Sequence, residues 1–138
     1  MNSSLSRYAP YVYALFRIVV GLLFAMHGSQ KLLGFPGDKP PVELASQMGV
    51  AGIVELVGGL LVAVGLFTRV AAFLASGQMA VAFFMAHAPQ HPLPLLNGGE
   101  PAVLFCFAFL YIFFHGPGPW AVDNLLHRST GPVAARAT

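Results

Sequence analysis

The first long apolar stretch of the chain, at residues 11–33, reads YVYALFRIVVGLLFAMHGSQKLL. Only Arg17, His27 and Lys31 interrupt it with ionisable side chains. A helix of about 17–23 residues is long enough to cross the roughly 30 Å hydrocarbon core of a bilayer. The stretch does not alternate apolar and polar residues with the period of two that a membrane barrel needs. It therefore predicts a membrane-spanning helix.

The composition of the whole chain indicates the same environment. Charged residues make up 9% of the 138 residues and hydrophobic residues 57%, and the mean hydropathy is +0.71. Soluble domains carry about 25% charged residues, so a soluble chain of this length could not cover so apolar a core. Three further apolar stretches lie at residues 50–67, 70–86 and 100–114. We predict one all-α integral membrane domain, a four-helix bundle over residues 1–138, with a short interfacial segment at 119–127.

The basic residues predict the orientation of this multi-pass bundle. With four spans, the two termini and the second connection share one side, whose arginines are Arg7, Arg69, Arg128 and Arg136. The opposite side holds Lys31 and Lys39. Because Lys and Arg are enriched in cytoplasmic segments, both termini are predicted to be cytoplasmic.

Small residues recur at helical spacing and predict how the helices pack. Gly21 and Gly28 share one face of the first helix, and Gly58 and Gly59 lie within the second. Helices in lipid gain nothing from burying apolar surface against each other, and they associate by close approach through small residues. We interpret these glycines as packing positions.

Polar residues at one end of the bundle form the candidate site. With the predicted topology, six of them converge on the outer end: His27, Lys31, Glu55, His87, Asn97 and Glu100. Ionisable groups within a membrane are costly and are usually paired or turned toward water. Glu55, in the first turns of the second helix, is predicted to pair with Lys31. The sequence assigns no catalytic role within this cluster.

Arg17 lies about two turns into the first helix from the opposite side and needs an acceptor there or must extend toward the interface. Arg69 has the same charge and cannot be its partner. Asp123 is the acid that follows the fourth helix on that side. We predict a structural ion pair between Arg17 and Asp123.

Several kinds of chemistry are disfavoured by the sequence. Cys106 is the sole cysteine, so thiol exchange within one chain is not available. The pair His87-x-x-x-His91 has helical spacing but contains Pro89, and no haem attachment motif is present, so we expect neither a metal site nor haem. A net charge of +2 gives no nucleic-acid footprint. The cofactor stays open, and a quinone is one candidate.

The order and spacing of several short motifs resemble those of the DoxX family of small bacterial membrane proteins over residues 14–126. The motifs are Arg17-x-x-x-Gly21 and His27-Gly28-x-x-Lys31-Leu32 in the first stretch, Glu55-x-x-Gly58-Gly59 and Gly65-Leu66-x-Thr68-Arg69 around the second, Asn97-Gly98-Gly99-Glu100 at the start of the fourth, and Gly116-Pro117-Gly118-Pro119-Trp120-x-x-Asp123 after it. The resemblance implies a four-helix bundle in the bacterial plasma (inner) membrane. Its members are associated with quinol oxidase, thiosulfate:quinone oxidoreductase and redox-stress systems, and most have no assigned reaction.

Three functional hypotheses follow. The first is an accessory subunit, without catalytic activity of its own, that docks in the lipid bilayer beside a larger redox or respiratory complex, or forms a homo-oligomer. The bulky fourth stretch, with phenylalanines at 105, 107, 109, 113 and 114, suits a face toward lipid or a partner. The second is a quinone- or small-molecule-binding redox component that uses the outer polar cluster. The third is a small transporter.

Overall fold

The computed structural model describes residues 3–129, and every regular element in that range is helical. The helices are α1 (Ser3–Ser6), α2 (Ala9–Leu33), α3 (Gln47–Val64), α4 (Thr68–Ala82), α5 (Pro94–Asn97), α6 (Glu100–His115) and α7 (Val122–Ser129). A π-helical turn, Phe83–His87, continues α4. Arg136, which contributes to the predicted orientation, lies outside the described residues.

The long helices pack as two neighbouring pairs. Helix α2 lies along α3, and α4 lies along α6. Contacts between α3 and α4 join the two pairs, whereas α2 and α6 are in contact over a small area. The start of α2, the end of α6 and α7 lie at one end, here called the terminal end. The connections 34–46 and 88–99 lie at the other, here called the loop end.

Within residues 3–129, three helical segments are long and apolar enough to cross a membrane: Ser4–Leu33, Gln47–Val64 and Thr68–His87. Helix α6 is a shorter apolar helix of 16 residues. Large apolar side chains such as Val19, Leu60 and Phe73 are exposed on the outside of the bundle, as a lipid-facing surface requires. These features confirm the predicted all-α membrane bundle.

Helix α3 is displaced along the chain from the predicted 50–67. It begins at Gln47 because Ser46 caps it, with the Ser46 Oγ accepting a hydrogen bond from the Gly49 N–H at 3.0 Å. It ends at Val64 because Gly65 turns into the left-handed region at φ 74°. Glu55 therefore lies halfway along the 18-residue helix and not in its first turns.

The other long helices differ less from their predicted bounds. Helix α4 begins at Thr68, two residues before the predicted 70–86, so Arg69 lies inside the helix. Helix α2 begins two residues before the predicted 11–33, and α6 extends one residue beyond 100–114. The predicted interfacial segment 119–127 contains the start of α7.

Glycines bring α2 and α3 into backbone contact. A Cβ atom on Gly21 would lie 2.6 Å from the Gly59 carbonyl oxygen, and one on Gly59 would lie 2.5 Å from the Gly21 carbonyl oxygen. A Cβ atom on Gly28 would overlap the backbone of α3 at Gly52 and Leu56. Such distances leave no room for a methyl group, so these glycines set the spacing of the pair.

Gly28→Ala and Gly58→Ala provide a matched test of this contact. Nothing lies within 4 Å of a Cβ atom placed on Gly58, although it too is buried in a helix. We expect Gly28→Ala to lower the free energy of unfolding by about 1–3 kcal/mol through overpacking. Gly58→Ala should leave it unchanged or raise it, because alanine favours the helix over glycine. Thermal unfolding in detergent measures both, and equal responses would contradict the packing role.

Candidate functional site

A buried ion pair lies near the loop end. The Lys31 ammonium donates a hydrogen bond to Glu55 Oε1, so the structure contains the predicted contact between these residues. The Glu55 side chain is 2% exposed and that of Lys31 is 24% exposed. Because Cα–Cβ bonds tilt toward the N-terminus of a helix, the Lys31 side chain near the end of α2 is directed back into the bundle.

Gln78 of α4 completes this cluster, and sequence reasoning missed it. Its Nε2 donates to Glu55 Oε1 at 2.8 Å and to the Ala51 carbonyl oxygen at 3.3 Å. Three helices thus contribute one side chain each to a single polar centre. The available signal was a side-chain amide within the apolar stretch 70–86, because polar side chains at membrane depth require partners.

Two acceptor atoms in the centre have no hydrogen-bond partner. Glu55 Oε2 and Gln78 Oε1 are buried and unpaired, whereas Glu55 Oε1 accepts from both Lys31 and Gln78. The orientation of the Gln78 amide is fixed, since its nitrogen faces two oxygens that can only accept. Buried polar atoms are nearly always paired in proteins, so this arrangement is unusual.

A cavity of about 570 Å³ adjoins the polar centre between α2, α3, α4 and α6. Its lining is mainly apolar and includes Phe24, Val54, Leu74, Met79, Met85 and Phe105. Its polar lining includes His27, Lys31, Glu55, Gln78 and His87. An apolar cleft of this size with a few convergent polar groups is the usual form of a small-molecule site.

The π turn shapes one wall of the cavity. The Ala88 N–H bonds the Phe83 carbonyl oxygen at 2.8 Å, which widens the helix at Phe83–His87. His87 Nδ1 lies 3.0 Å from the Asn97 carbonyl oxygen. A carbonyl oxygen only accepts, so Nδ1 carries a proton, and Nε2 of the neutral ring is left as an acceptor. Single π turns are frequent at functional sites.

The remaining two residues of the predicted cluster have other positions. Asn97 is buried in the connection before α6, where its Oδ1 accepts from the Gly99 N–H at 2.7 Å and its Nδ2 donates to the His91 carbonyl oxygen at 2.6 Å. Glu100 is exposed at the first residue of α6 and does not line the cavity. Placing Glu100 in the cluster was therefore wrong, and its position suits the positive end of the helix dipole.

Arg17 is fully buried near the terminal end and bonds backbone oxygens. Its Nη1 donates to the carbonyl oxygens of Val62 at 2.6 Å and Ala63 at 2.7 Å. Its Nη2 donates to those of Pro119 at 3.2 Å and Trp120 at 3.1 Å. The first two carbonyls belong to the last turn of α3, where few backbone donors remain, and the Val62 oxygen also accepts from the Gly65 N–H at 3.2 Å.

Asp123 caps α4 and does not pair with Arg17. Its carboxylate accepts from the Phe67 N–H at 2.8 Å, the Thr68 N–H at 3.0 Å and the Thr68 Oγ1 at 2.7 Å. The predicted Arg17–Asp123 ion pair was wrong, because Arg17 donates to backbone carbonyl oxygens and Asp123 accepts from the start of α4. Partial burial raises the pKa of Asp123, but the hydrogen bonds from Thr68 and Phe67 outweigh it and hold the pKa below its ordinary value.

Arg69 and Tyr13 bond the end of α6 in the same way. Arg69 Nη1 donates to the carbonyl oxygens of Phe113 at 2.5 Å and Phe114 at 3.0 Å, and the Tyr13 hydroxyl donates to that of Gly116 at 2.5 Å. The polar side chains at the terminal end thus bind helix ends. At the loop end, in contrast, charged side chains of the described residues line a cavity.

The fold and the cavity together define a polytopic helical membrane protein with a polar centre buried beside an apolar pocket. The chain belongs to the DoxX family, whose model matches residues 12–88, more than half of the 138 residues. The matched range includes Arg17, Lys31, Glu55 and Gln78.

Three relatives match the chain over most of its length. An uncharacterized protein of Haemophilus influenzae is 42% identical over 128 residues, covering 88% of this chain and 96% of that protein. An uncharacterized membrane protein of Mycobacterium tuberculosis is 29% identical and covers 87% of this chain and 84% of its own length. The inner membrane protein YqjF of Escherichia coli is 27% identical, covering 81% of this chain and 89% of that protein. No solved structure matches the chain.

Asp123 should make stability depend on pH. Because its pKa is lower in the folded state, its stabilisation is present above the ordinary pKa of 3.8 and is lost as the pH falls through the folded-state value. We expect Asp123→Ala to cost about 1 kcal/mol at pH 7 through the lost cap. In thermal unfolding, the difference from the wild type should shrink as the pH falls below the ordinary pKa of 3.8.

Asp38→Ala is the matched control, since Asp38 is exposed in the connection after α2. It should unfold like the wild type at every pH. A gap between wild type and Asp123→Ala that stays constant with pH would argue against ionisation of Asp123 as its source.

Proposed function

We propose that this protein binds a lipid-soluble small molecule of the quinone class in the loop-end cavity, as a redox component of the bacterial inner membrane. The observation that carries the proposal is the polar centre of Lys31, Glu55 and Gln78 on the wall of an apolar cavity of about 570 Å³. An apolar lining suits the body of such a molecule and the polar centre suits its head group.

The energetics of the buried charges support a binding role. A charged side chain near the bilayer centre costs about 2.5–3.5 kcal/mol on insertion scales. Replacing a buried ion pair with apolar residues is often neutral or stabilising, so packing alone gives little reason to keep one. A pair that remains beside a cavity is better explained by a ligand head group than by stability.

The route to the cavity also fits a membrane-soluble ligand. Met85 is 59% exposed on the outside of the bundle and lines the cavity. His27 is likewise exposed and lines it, with its ring edge-on to Phe105 at 5.8 Å between centroids. The cavity therefore reaches the lipid-facing surface, where a quinone resides. The histidines and Glu55 would supply the proton donors and acceptors that quinone chemistry needs.

A cavity-filling variant tests the proposal without altering a charge. Ala86 is exposed and lines the cavity, so the ring of Ala86→Phe should occupy its mouth. We expect purified Ala86→Phe in lipid nanodiscs to bind both decylubiquinone and decylubiquinol at least about tenfold more weakly than the wild type, which corresponds to about 1.4 kcal/mol. Equilibrium dialysis with quantification of bound ligand measures this.

Ala80→Phe is the matched control, because Ala80 lies on α4, is only partly buried and does not line the cavity. It should bind both ligands like the wild type. Absence of binding by the wild type would refute the proposed function. Normal binding by Ala86→Phe would show that the ligand binds outside this cavity.

A second candidate function is the accessory subunit, and the outer face of α6 favours it. Four large side chains at spacings of three and four residues form one exposed stripe: Leu104, Phe107, Tyr111 and Phe114. Such a stripe is the geometry with which one transmembrane helix packs against another. The subunit would then dock through this stripe beside a larger redox or respiratory complex, or assemble as a homo-oligomer.

Native purification in mild detergent tests this second role. We expect a membrane redox assembly to co-purify in fixed ratio with the wild type, and Phe107→Ala combined with Phe114→Ala to reduce its yield at least severalfold. Val19→Ala combined with Leu60→Ala alters exposed positions on α2 and α3 and serves as the control. Recovery of the wild type alone, or equal losses from both double variants, would exclude docking through this stripe.

A further inference from the structure

The two buried side-chain atoms of the cavity wall that lack a hydrogen-bond partner are both acceptors. Glu55 Oε2 and Gln78 Oε1 are both buried without a donor, and both residues line the cavity. Leaving a buried acceptor unpaired is costly, so a ligand that supplies a donor there gains more than one that supplies another acceptor.

The hydrogen bonds that the neighbouring side chains donate are directed to other oxygens. Both hydrogens of Gln78 Nε2 face oxygens, one of Glu55 and one of Ala51. Lys31 and Gln78 both donate to Glu55 Oε1, on the other side of the carboxylate from Oε2. Both donations thus converge on Oε1, and neither reaches Oε2.

His87 adds an acceptor to the same wall. Its Nδ1 proton is directed at the Asn97 carbonyl oxygen, so the neutral ring offers Nε2 as an acceptor, and His87 also lines the cavity. Lys31 keeps further ammonium hydrogens that can reach one ligand oxygen. A ligand hydroxyl group can bond both kinds of partner, because its hydrogen pairs with a carboxylate or amide oxygen while its oxygen accepts from Lys31. A ligand carbonyl oxygen can accept from Lys31 but has no hydrogen to donate.

We infer that the cavity selects ligands whose head group donates hydrogen bonds, and that it holds the hydroquinone form of a quinone in preference to the oxidised form. This inference rests on the proposed function and specifies which redox form the site favours. It concerns equilibrium binding and requires no electron transfer within the chain.

The first test compares three ligands that share one carbon skeleton. The wild type in nanodiscs, kept anaerobic, is titrated with decylubiquinone, with decylubiquinol and with the dimethyl ether of decylubiquinol, which has no hydroxyl hydrogen. We expect the hydroquinone to bind at least tenfold more tightly than the other two, the fold-change of one well-formed hydrogen bond to a charged group. Equal affinities, or tighter binding of the quinone, would overturn the inference.

The second test reverses the acceptor at Glu55. In Glu55→Gln the amide oxygen is held at the Oε1 position, because Lys31 and Gln78 both donate there. The amide nitrogen then takes the place of Oε2 and turns an acceptor into a donor. We expect the preference for hydroquinone to fall at least tenfold or to reverse toward the quinone, while thermal stability confirms folding. An unchanged ratio in a folded variant would overturn the inference.

Glu100→Gln is the matched control, since the same substitution is made on an exposed acid that does not line the cavity. It should keep the wild-type preference. If Glu55→Gln does not fold, the three-ligand comparison on the wild type decides alone. Binding of both redox forms with equal affinity would refute the donor preference and leave the proposed function standing, whereas binding of neither form would refute the proposed function itself.

Discussion

The buried guanidinium of Arg17 is the interaction on which the arrangement of the helices depends. Its four hydrogen bonds join α2 to the last turn of α3 and to the segment that follows α6. A cation in hydrocarbon must find acceptors, and helix ends provide carbonyl oxygens that the helix cannot use. The four hydrogen bonds of Arg17 offset part of the cost of burying its charge, and they hold these segments together at the terminal end. Arg69 and Asp123 bind other helix ends there.

The charged side chains at the two ends of the bundle have different hydrogen-bond partners. At the terminal end, charged side chains bond the backbone, and such contacts stabilise the fold. At the loop end, Glu55 bonds two side chains from other helices and keeps one oxygen unpaired beside a cavity. Among the described residues, Arg17 Nε is also unpaired at the terminal end, but the unpaired acceptors at the loop end belong to residues that line the cavity of about 570 Å³. This contrast, more than the presence of charge itself, separates the candidate site from the structural framework.

Residue types and spacing were enough to predict the all-helical membrane bundle, the packing role of Gly21 and Gly28, and the contact between Lys31 and Glu55. The partner of Arg17 could not be predicted in this way, because backbone carbonyls carry no sequence signal. Gln78 was missed because a neutral amide in an apolar stretch attracts less notice than a charge. The depth of Glu55 followed from the Ser46 cap, which starts α3 earlier than hydropathy alone indicates.

The glycine contact between α2 and α3 explains how the polar centre can remain incompletely paired. Gly28 places the two backbones against each other, and a Cβ atom on the nearby Gly52 would lie 3.2 Å from the Lys31 Cβ atom. The base of the Lys31 side chain is thus fixed against α3 one turn from Glu55, and Gln78 is fixed by its bond to the Ala51 carbonyl oxygen. A softer helix pair could shift until every acceptor found a donor. A rigid one keeps Glu55 Oε2 and Gln78 Oε1 unpaired beside the cavity, which would preorganise the proposed ligand site.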